Sequence, residues 1–169
     1  MRRLLVALAV VLAAALAGGG ALQLGEDSSA GEQPRRATVL RVVDGDTILV
    51  RLDGRRERVR YIGIDTPESV AEQGAPECYG RAAAAENRRL VAGRTVTLAT
   101  DAEERDRFGR LLAYVRRAPD GLFVNAELVR HGFASTLRIA PNVRYAGRFA
   151  SLERDARRAG RGLWGACDG

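Results

Sequence analysis

The sequence predicts an α+β domain in which five short strands form a small closed β-barrel, accompanied by three helices. Strand-like segments come first, and helical segments are inserted between later strands or appended, an order typical of an α+β domain. The strands are separated by turn residues, and closure into a barrel removes the exposed edges of an open sheet. A chain of 169 residues accommodates one such domain, preceded by an N-terminal signal or anchor segment.

The first three strands are expected to form an antiparallel meander, because Asp-Gly turn signals separate them. In TILVRL, Ile48, Val50 and Leu52 alternate with other residues and share one face, as in a half-buried strand. The predicted strands are Ala37–Val43, Thr47–Leu52, Arg56–Ile64, Thr95–Thr100 and Arg110–Arg116. The predicted helices are Arg81–Val91, Val124–His131 and Tyr145–Ala159.

The N-terminus has the features of an export signal. Arg2 and Arg3 precede the apolar run Leu4–Ala17, and Ala15-Leu16-Ala17 offers a signal peptidase site. We therefore expect a signal peptide at residues 1–17 and a protein that is secreted or held in the cell envelope. The longer uncharged stretch leaves open an uncleaved anchor at residues 4–24, with the domain outside the membrane. The remaining predicted divisions are a linker at 18–36, the domain at 37–165 and a tail at 166–169.

Composition favours a phosphate-rich partner and excludes several kinds of site. The 27 basic residues exceed the 21 acidic ones, which gives a net charge of +6. Every basic residue is arginine, so a Schiff-base lysine and a P-loop lysine are both excluded. The single histidine, His131, excludes a zinc site of several histidines, and its position favours interaction with a helix terminus.

The two cysteines, Cys78 and Cys167, are too few for a zinc site made of four thiolates. Outside the cytosol two thiols tend to pair, so we expect a disulfide that ties the C-terminal tail to the middle of the domain. Two free thiols are the alternative, because spacing along the chain does not reveal distance in space.

Two segments carry more acidic and hydroxyl groups than packing requires: DGDT at residues 44–47 and DTPE at residues 65–68. The hairpin between them is expected to bring Asp46, Asp65 and Glu68 together, with the carbonyl of Thr66 as a further oxygen. Such hard oxygen ligands suit Ca²⁺ or Mg²⁺ and not zinc or copper. The structural alternative is an ordinary turn followed by an ordinary helix start.

Two arginines are candidate partners for an anion. Arg60 leans toward the face used by neighbouring isoleucines, and Arg110 closes a tight DRFGR loop. A guanidinium binds phosphate through two parallel hydrogen bonds, whereas a surface ion pair is the alternative. Strict alternation would put Arg60 and Asp65 on opposite faces, so a bend or bulge near Gly63 is expected if both serve one site.

The ordered motifs VVDGDTILV, RYIGIDTPE, ECYG, DRFGR and VNAELVRHGFA resemble the staphylococcal nuclease (thermonuclease) family, over roughly residues 37–165. The resemblance implies a five-stranded OB-type barrel with three helices. It also implies a Ca²⁺-dependent phosphodiesterase that acts on DNA and RNA and leaves 3′-phosphate ends.

The resemblance assigns a role to each candidate residue. Asp46, Asp65 and the Thr66 carbonyl would hold Ca²⁺, and Glu68 would act as general base on the attacking water. The two arginines, Arg60 and Arg110, would clamp the scissile phosphate and stabilise its pentacoordinate state.

The resemblance also places substrate-binding residues, with departures from the family pattern. Phe108 stands where a tyrosine is usual, and Arg107 where a lysine is usual. Leu137 and Ile139 take the place of tyrosines that pack on the nucleotide. Binding is therefore expected to rely on arginine and the phosphate backbone, with weak sequence preference.

Two alternatives to an exported nuclease remain at the level of sequence. One is a non-catalytic OB-fold module that binds nucleic acid, and the other is a nuclease tethered to the membrane by its leader. The expected partners are DNA and RNA, and no protein partner is inferred.

Overall fold

The structure is a computed structural model that describes residues 33–70 and 75–167. The expected signal peptide at 1–17 and the alternative anchor at 4–24 lie outside the described residues. Within those two ranges, no helix has the length and apolar character needed to cross a membrane.

Five strands close into a barrel, as predicted: β1 (Arg35–Asp44), β2 (Thr47–Leu52), β3 (Arg55–Tyr61), β5 (Thr95–Ala99) and β6 (Leu111–Arg117). Their order around the barrel is β1-β2-β3-β6-β5. Strand β3 pairs in parallel with β6, and the other four pairings are antiparallel, so the barrel is mixed.

Alternation along each strand builds the core inside this barrel. On β2 the predicted inward residues Ile48, Val50 and Leu52 are all buried. Their neighbours on β3 continue the same layer, because Val59 pairs with Ile48 and is fully buried. One face of each strand therefore faces the interior, and the opposite face is left for solvent or ligands.

The three predicted helices are present as α1 (Gly80–Val91), α2 (Val124–Arg130) and α3 (Ala146–Arg158). Helix α3 packs on the barrel through Phe149, whose ring lies 5.6 Å from that of Phe123 and 6.4 Å from that of Tyr114. A short helix α4 (Leu163–Ala166) follows and was not predicted.

The third strand differs from its predicted extent, which ran to Ile64 as one element. Strand β3 ends at Tyr61, and the chain turns at Ile62–Gly63 because Gly63 adopts a φ of +80°. The chain then forms β4 (Ile64–Asp65), which pairs with β7 (Ser135–Thr136) in a separate sheet of two strands. The expected bend near Gly63 is thus present, and it redirects Asp65 relative to β3.

The predicted disulfide is present and joins Cys78 to Cys167 across 89 positions of sequence. It connects the residue two positions before α1 to the residue that follows α4. In the chain-entropy account, closing a loop of this length stabilises a fold by about 4–5 kcal/mol. The C-terminal segment is therefore held against the loop that precedes α1.

Substitution of Gly63 by alanine should destabilise the fold more than the same change at Gly54, although both glycines have positive φ. At Gly54 the added Cβ meets open space, so we expect a loss of about 1–2 kcal/mol from the backbone conformation alone. At Gly63 the Cβ would lie 2.7 Å from the Phe149 ring. That clash should increase the loss of stability by about 1–3 kcal/mol. Chemical denaturation of both variants measures the difference, and equal losses would refute a tight contact with Phe149.

Candidate active site

The Asp-Gly-Asp turn at residues 44–46 joins β1 to β2 and is packed under the segment that follows β4. A Cβ on Gly45 would lie 2.6 Å from Thr66 Oγ1, so only glycine leaves room for that threonine. The backbone N–H of Tyr61 donates to the Asp46 carbonyl at 2.9 Å. The turn is therefore fixed between the end of β3 and Thr66.

The Asp46 carboxylate is buried, and both of its oxygens accept hydrogen bonds. Its Oδ1 accepts from Thr47 Oγ1 at 3.0 Å. Its Oδ2 accepts from the Thr66 N–H at 2.9 Å and from Thr66 Oγ1 at 3.1 Å. A buried carboxylate held in this way has one orientation, which is what a ligand for a cation requires.

Arg60 lies between Asp46 and Asp65 and joins the two candidate ligands. Its Nη2 is 3.1 Å from Asp46 Oδ2 and 2.6 Å from Asp65 Oδ1. Its Nη1 donates to the carbonyls of Tyr61 at 2.9 Å and Ile64 at 2.8 Å. The turn at Gly63 makes this possible, because it brings the carbonyl of Ile64 and the carboxylate of Asp65 back toward the β3 arginine.

The charges in this group affect one another. Partial burial raises the pKa of Asp65 above its ordinary value; Arg60 opposes that rise and the nearby Asp46 carboxylate adds to it. The two carboxylates share one guanidinium, so the group keeps a net negative charge when both are ionised. Such a group attracts a further cation.

The buried residue Asn87, which was not among the predicted site residues, stabilises the Asp-Gly-Asp turn. Asn87 on α1 is fully buried, and its Nδ2 donates to the Asp44 carbonyl at 2.9 Å. Its Oδ1 accepts from the Tyr61 hydroxyl at 2.9 Å. Burial raises the pKa of Tyr61, so that hydroxyl stays protonated and remains a donor. The polar residue in the alanine-rich RAAAAENRRL segment was the signal available in the sequence.

Glu68 lies on a loop that is anchored by its backbone. Its N–H donates to Glu77 Oε2 at 2.9 Å, and the Glu77 N–H donates to the Glu68 carbonyl at 3.0 Å. A Cβ on Gly80 would lie 2.2 Å from that carbonyl, so the start of α1 closes on the same loop. Because Cys78 follows Glu77 directly, the disulfide lies next to this anchor.

The Glu68 side chain is exposed and interacts with Asp44. Their hydrogen bond raises the pKa of Glu68 to about 7, assisted by partial burial and by the charges of Asp46 and Glu77. Neither Asp44 nor Glu77 was predicted as part of the site. Among residues 33–70 and 75–167, no group of three metal-ligating side chains is found, so Glu68 does not join Asp46 and Asp65 in one cluster.

Arg110 is oriented by the DRFGR loop. Asp106 accepts from Arg110 Nε at 2.6 Å and from the backbone N–H groups of Arg110 at 2.9 Å and Phe108 at 3.0 Å. Burial alone would raise the pKa of Asp106, but these hydrogen bonds lower it overall. The terminal nitrogens of Arg110 have no hydrogen-bond partner within the described part of the chain, which leaves them available to a ligand.

Arg60 and Arg110, the two arginines predicted to bind an anion, both line a cleft of about 450 Å³. Its apolar wall comes from Phe108, which is 68% exposed, together with Leu137 and Ile139. The predicted substrate-binding residues Arg107 and Phe108 thus lie on this cleft, and the Arg107 guanidinium is 4.7 Å from the Phe108 ring centre. Cationic groups beside exposed apolar surface suit a ligand with phosphates and flat rings.

The loops that form the cleft are fixed by two more asparagines. Asn142 exchanges hydrogen bonds of 2.8 Å with the backbone N–H and carbonyl of Glu103. Asn125 on α2 donates to the Ile62 carbonyl at 2.9 Å and accepts from the Val115 N–H at 2.9 Å. These contacts couple the walls of the cleft to the barrel.

The single histidine lies away from this cleft. His131 follows α2, and its Nε2 is 3.3 Å from Glu127 Oε2 one turn earlier. The helix-terminal position is the one expected from the sequence.

Residues 58–166 match the family described as Staphylococcal nuclease homologue. The chain is also 36% identical over 137 residues to the thermonuclease of Staphylococcus hyicus, which covers 81% of this chain and 79% of the relative. The chain belongs to the staphylococcal nuclease family.

Other relatives of this nuclease-family chain agree. It is 37% identical over 126 residues to the thermonuclease of Staphylococcus intermedius, covering 75% of this chain and 74% of that protein. Endonuclease YncB of Bacillus subtilis is 36% identical over 129 residues, covering 75% of this chain and 60% of the relative. The five-stranded barrel with three helices is the OB-type fold that the resemblance implied.

Substitution of Asn87 by alanine should weaken the support of the Asp-Gly-Asp turn. The change removes two buried hydrogen bonds, one to the Asp44 carbonyl and one from the Tyr61 hydroxyl, so the free energy of unfolding should fall by about 1–3 kcal/mol. Arg88→Ala, on the exposed face of the same helix, is the control and should cost less than about 0.5 kcal/mol. Urea denaturation compares the two variants. Equal midpoints for Asn87→Ala and the parent protein would show that this network does not stabilise the turn.

Proposed function

We propose that this protein is a Ca²⁺-dependent nuclease that hydrolyses phosphodiester bonds of DNA and RNA and leaves 3′-phosphate ends. The observation that carries the proposal is the Asp46–Arg60–Asp65 group, whose arginine lines a cleft together with Arg110, in a chain of the staphylococcal nuclease family. The names thermonuclease and endonuclease of its relatives support the nuclease part of this proposal.

The oxygen donors suit the proposed ion. Asp46 and Asp65 offer carboxylate oxygens, and no group in the described part of the chain donates a hydrogen bond to the Thr66 carbonyl. Ca²⁺ takes such hard oxygens and completes its coordination with water or substrate. When bound, the ion would offset the negative charge of the phosphodiester.

The two arginines are proposed to bind the scissile phosphate. Arg110 is held by its Nε on Asp106, so its outer nitrogens can donate to phosphate oxygens without losing that anchor. Arg60 is engaged by both carboxylates, and it reaches the phosphate only as those contacts are exchanged. Two guanidinium groups would stabilise the extra negative charge of the pentacoordinate state.

Glu68 is proposed to accept the proton of the attacking water. Its side chain is exposed, so water has access, while the two hydrogen bonds with Glu77 fix its backbone. A carboxylate in a fixed position is suited to general base catalysis. As the water oxygen bonds to phosphorus, the bond from phosphorus to the 5′ oxygen breaks, that oxygen takes a proton from solvent, and the phosphate remains on the 3′ oxygen.

Plasmid DNA and RNA should be degraded with Ca²⁺ and left intact with a chelator. Glu68→Gln and Arg110→Ala should each lower the rate by about 10²–10⁴-fold, because each removes a charge that acts in the transition state. Arg154→Gln, an exposed α3 residue, serves as control, and circular dichroism checks the fold of each variant. Cleavage that persists in chelator would exclude the metal mechanism, and near-parental turnover of folded Glu68→Gln would exclude its role as base. Binding without cleavage under either condition would favour the non-catalytic module.

We also infer that the protein is exported. The leader has the composition of a signal peptide, and the Cys78–Cys167 disulfide is typical of an oxidising compartment. N-terminal sequencing of the mature protein should give a start at or near Gly18. An intact Met1 in membrane fractions would instead indicate the uncleaved anchor.

A further inference from the structure

We propose that the outer face of β1, β2 and β3 binds the phosphate backbone of a nucleic acid strand beyond the cleft. The binding groups are four exposed arginines, which we call the arginine ladder: Arg41, Arg51, Arg56 and Arg58. The inference rests on the proposed nuclease function and adds to it a surface that holds the same strand outside the cleft.

The strand register places these side chains on one face. Across β2 and β3, Arg51 pairs with Arg56, Leu49 pairs with Arg58, and Thr47 pairs with Arg60. Residues directly opposite each other share a face of the sheet. Because the alternate residues of β2 point into the core, this is the outer face. On β1, Arg41 also pairs with Leu49. Because Leu49 lies between Arg41 and Arg58, these two arginines lie on one line across the three strands.

The ladder carries positive charge that the protein itself does not neutralise. Its four guanidinium groups make no hydrogen bond or ion pair with any residue that the structure describes. Arg51 and Arg56 are direct cross-strand neighbours, an arrangement in which like charges destabilise a sheet. The carboxylate of Glu57 lies on the opposite face and is 3.0 Å from Arg105 Nη1. A polyanion from outside would supply the missing countercharge.

The ladder is continuous with the cleft. Arg58 lines a second hollow of about 480 Å³ together with Phe108 and Arg110, and those two residues also line the main cleft. Alternate residues of a strand lie about 6.6 Å apart, so Arg56 and Arg60 are separated by roughly 13 Å. One strand of B-form DNA carries a phosphate charge per about 3.4 Å of helix axis, so that distance spans roughly four phosphates.

The side chains on this face indicate which part of a nucleic acid strand it binds. Arginines contact phosphates wherever they lie along a strand, whereas base recognition needs side chains that reach base edges. None of the residues that β2 and β3 place on this face is aromatic, so they offer no ring for base stacking: Thr47, Leu49, Arg51, Arg56, Arg58 and Arg60. We therefore assign it to the sugar-phosphate backbone of the bound strand, independent of sequence.

The test compares Arg56→Thr/Arg58→Thr with Arg88→Gln/Arg154→Gln, a control with the same change in net charge on helices α1 and α3. Threonine suits an exposed strand position, so the first variant should keep its fold. Binding of a fluorescent single strand of several tens of nucleotides is followed by anisotropy in chelator, so the measurement does not require cleavage. The ladder variant should bind about tenfold more weakly and show a salt slope smaller by about 1–2. The control should match the parent protein.

A dinucleotide substrate, which reaches only the cleft, separates the ladder from the active site. The ladder variant should cleave the dinucleotide with an unchanged kcat/KM, whereas its kcat/KM on the long strand should fall. If the parent protein cleaves neither substrate, the proposed function fails, and the anisotropy measurement still decides the ladder. A third variant, Arg56→Lys/Arg58→Lys, keeps the charge and should bind the strand within about twofold of the parent.

Three results would overturn the proposal. The first is unchanged strand binding by a folded Arg56→Thr/Arg58→Thr variant, with folding checked by thermal unfolding. The second is an equal loss in the helix control, which would indicate a general effect of net charge. The third is retained strand binding with lost binding to vesicles of anionic phospholipid, which would assign this face to a membrane.

Discussion

The site depends on the salt bridges that the Arg60 guanidinium makes with the carboxylates of Asp46 and Asp65. Asp46 comes from the turn between β1 and β2, Arg60 from the end of β3 and Asp65 from the short β4, so one guanidinium joins three separate segments. A buried carboxylate is costly unless it is paired and hydrogen-bonded, and Asp46 meets both conditions. Removing one partner would leave an uncompensated charge in the interior, so these residues depend on one another for stability as well as for chemistry.

The barrel keeps two chain reversals of this group in place. The glycine turn at Gly63 directs Asp65 back toward Arg60, and Asn125 fixes the residue just before it by holding the Ile62 carbonyl. The Asp-Gly-Asp turn is held from α1 by Asn87. Because each support is a buried amide bonded at both ends, the positions of the carboxylates are determined by the core and not by exposed loops.

Local patterns in the sequence predicted the strands and helices well, because alternation and turn residues act over a few positions. The inward residues of β2 and the bend near Gly63 are examples. The pairing of β4 with β7 was not predictable, since it joins two-residue strands about seventy positions apart. The same limit applies to Asn87, Glu77 and Asp44, which act across space on a turn or a loop. The roles of the site residues remain predictions, because they depend on a substrate and an ion.

The position of the surplus charge follows from the same structure. Many acidic groups on the surface are already paired with arginine: Asp106 with Arg110, Glu57 with Arg105, Asp120 with Arg117 and Asp53 with Arg35. A net charge of +6 says nothing about where unpaired arginines lie. The strand register decides that, because alternation puts Arg56 and Arg58 on the same face as Arg60 and sends Glu57 to the other. The same alternation therefore has two effects. It places apolar side chains of β3 in the core on one side of the sheet. On the other side it places unpaired arginines in a row that extends to the cleft.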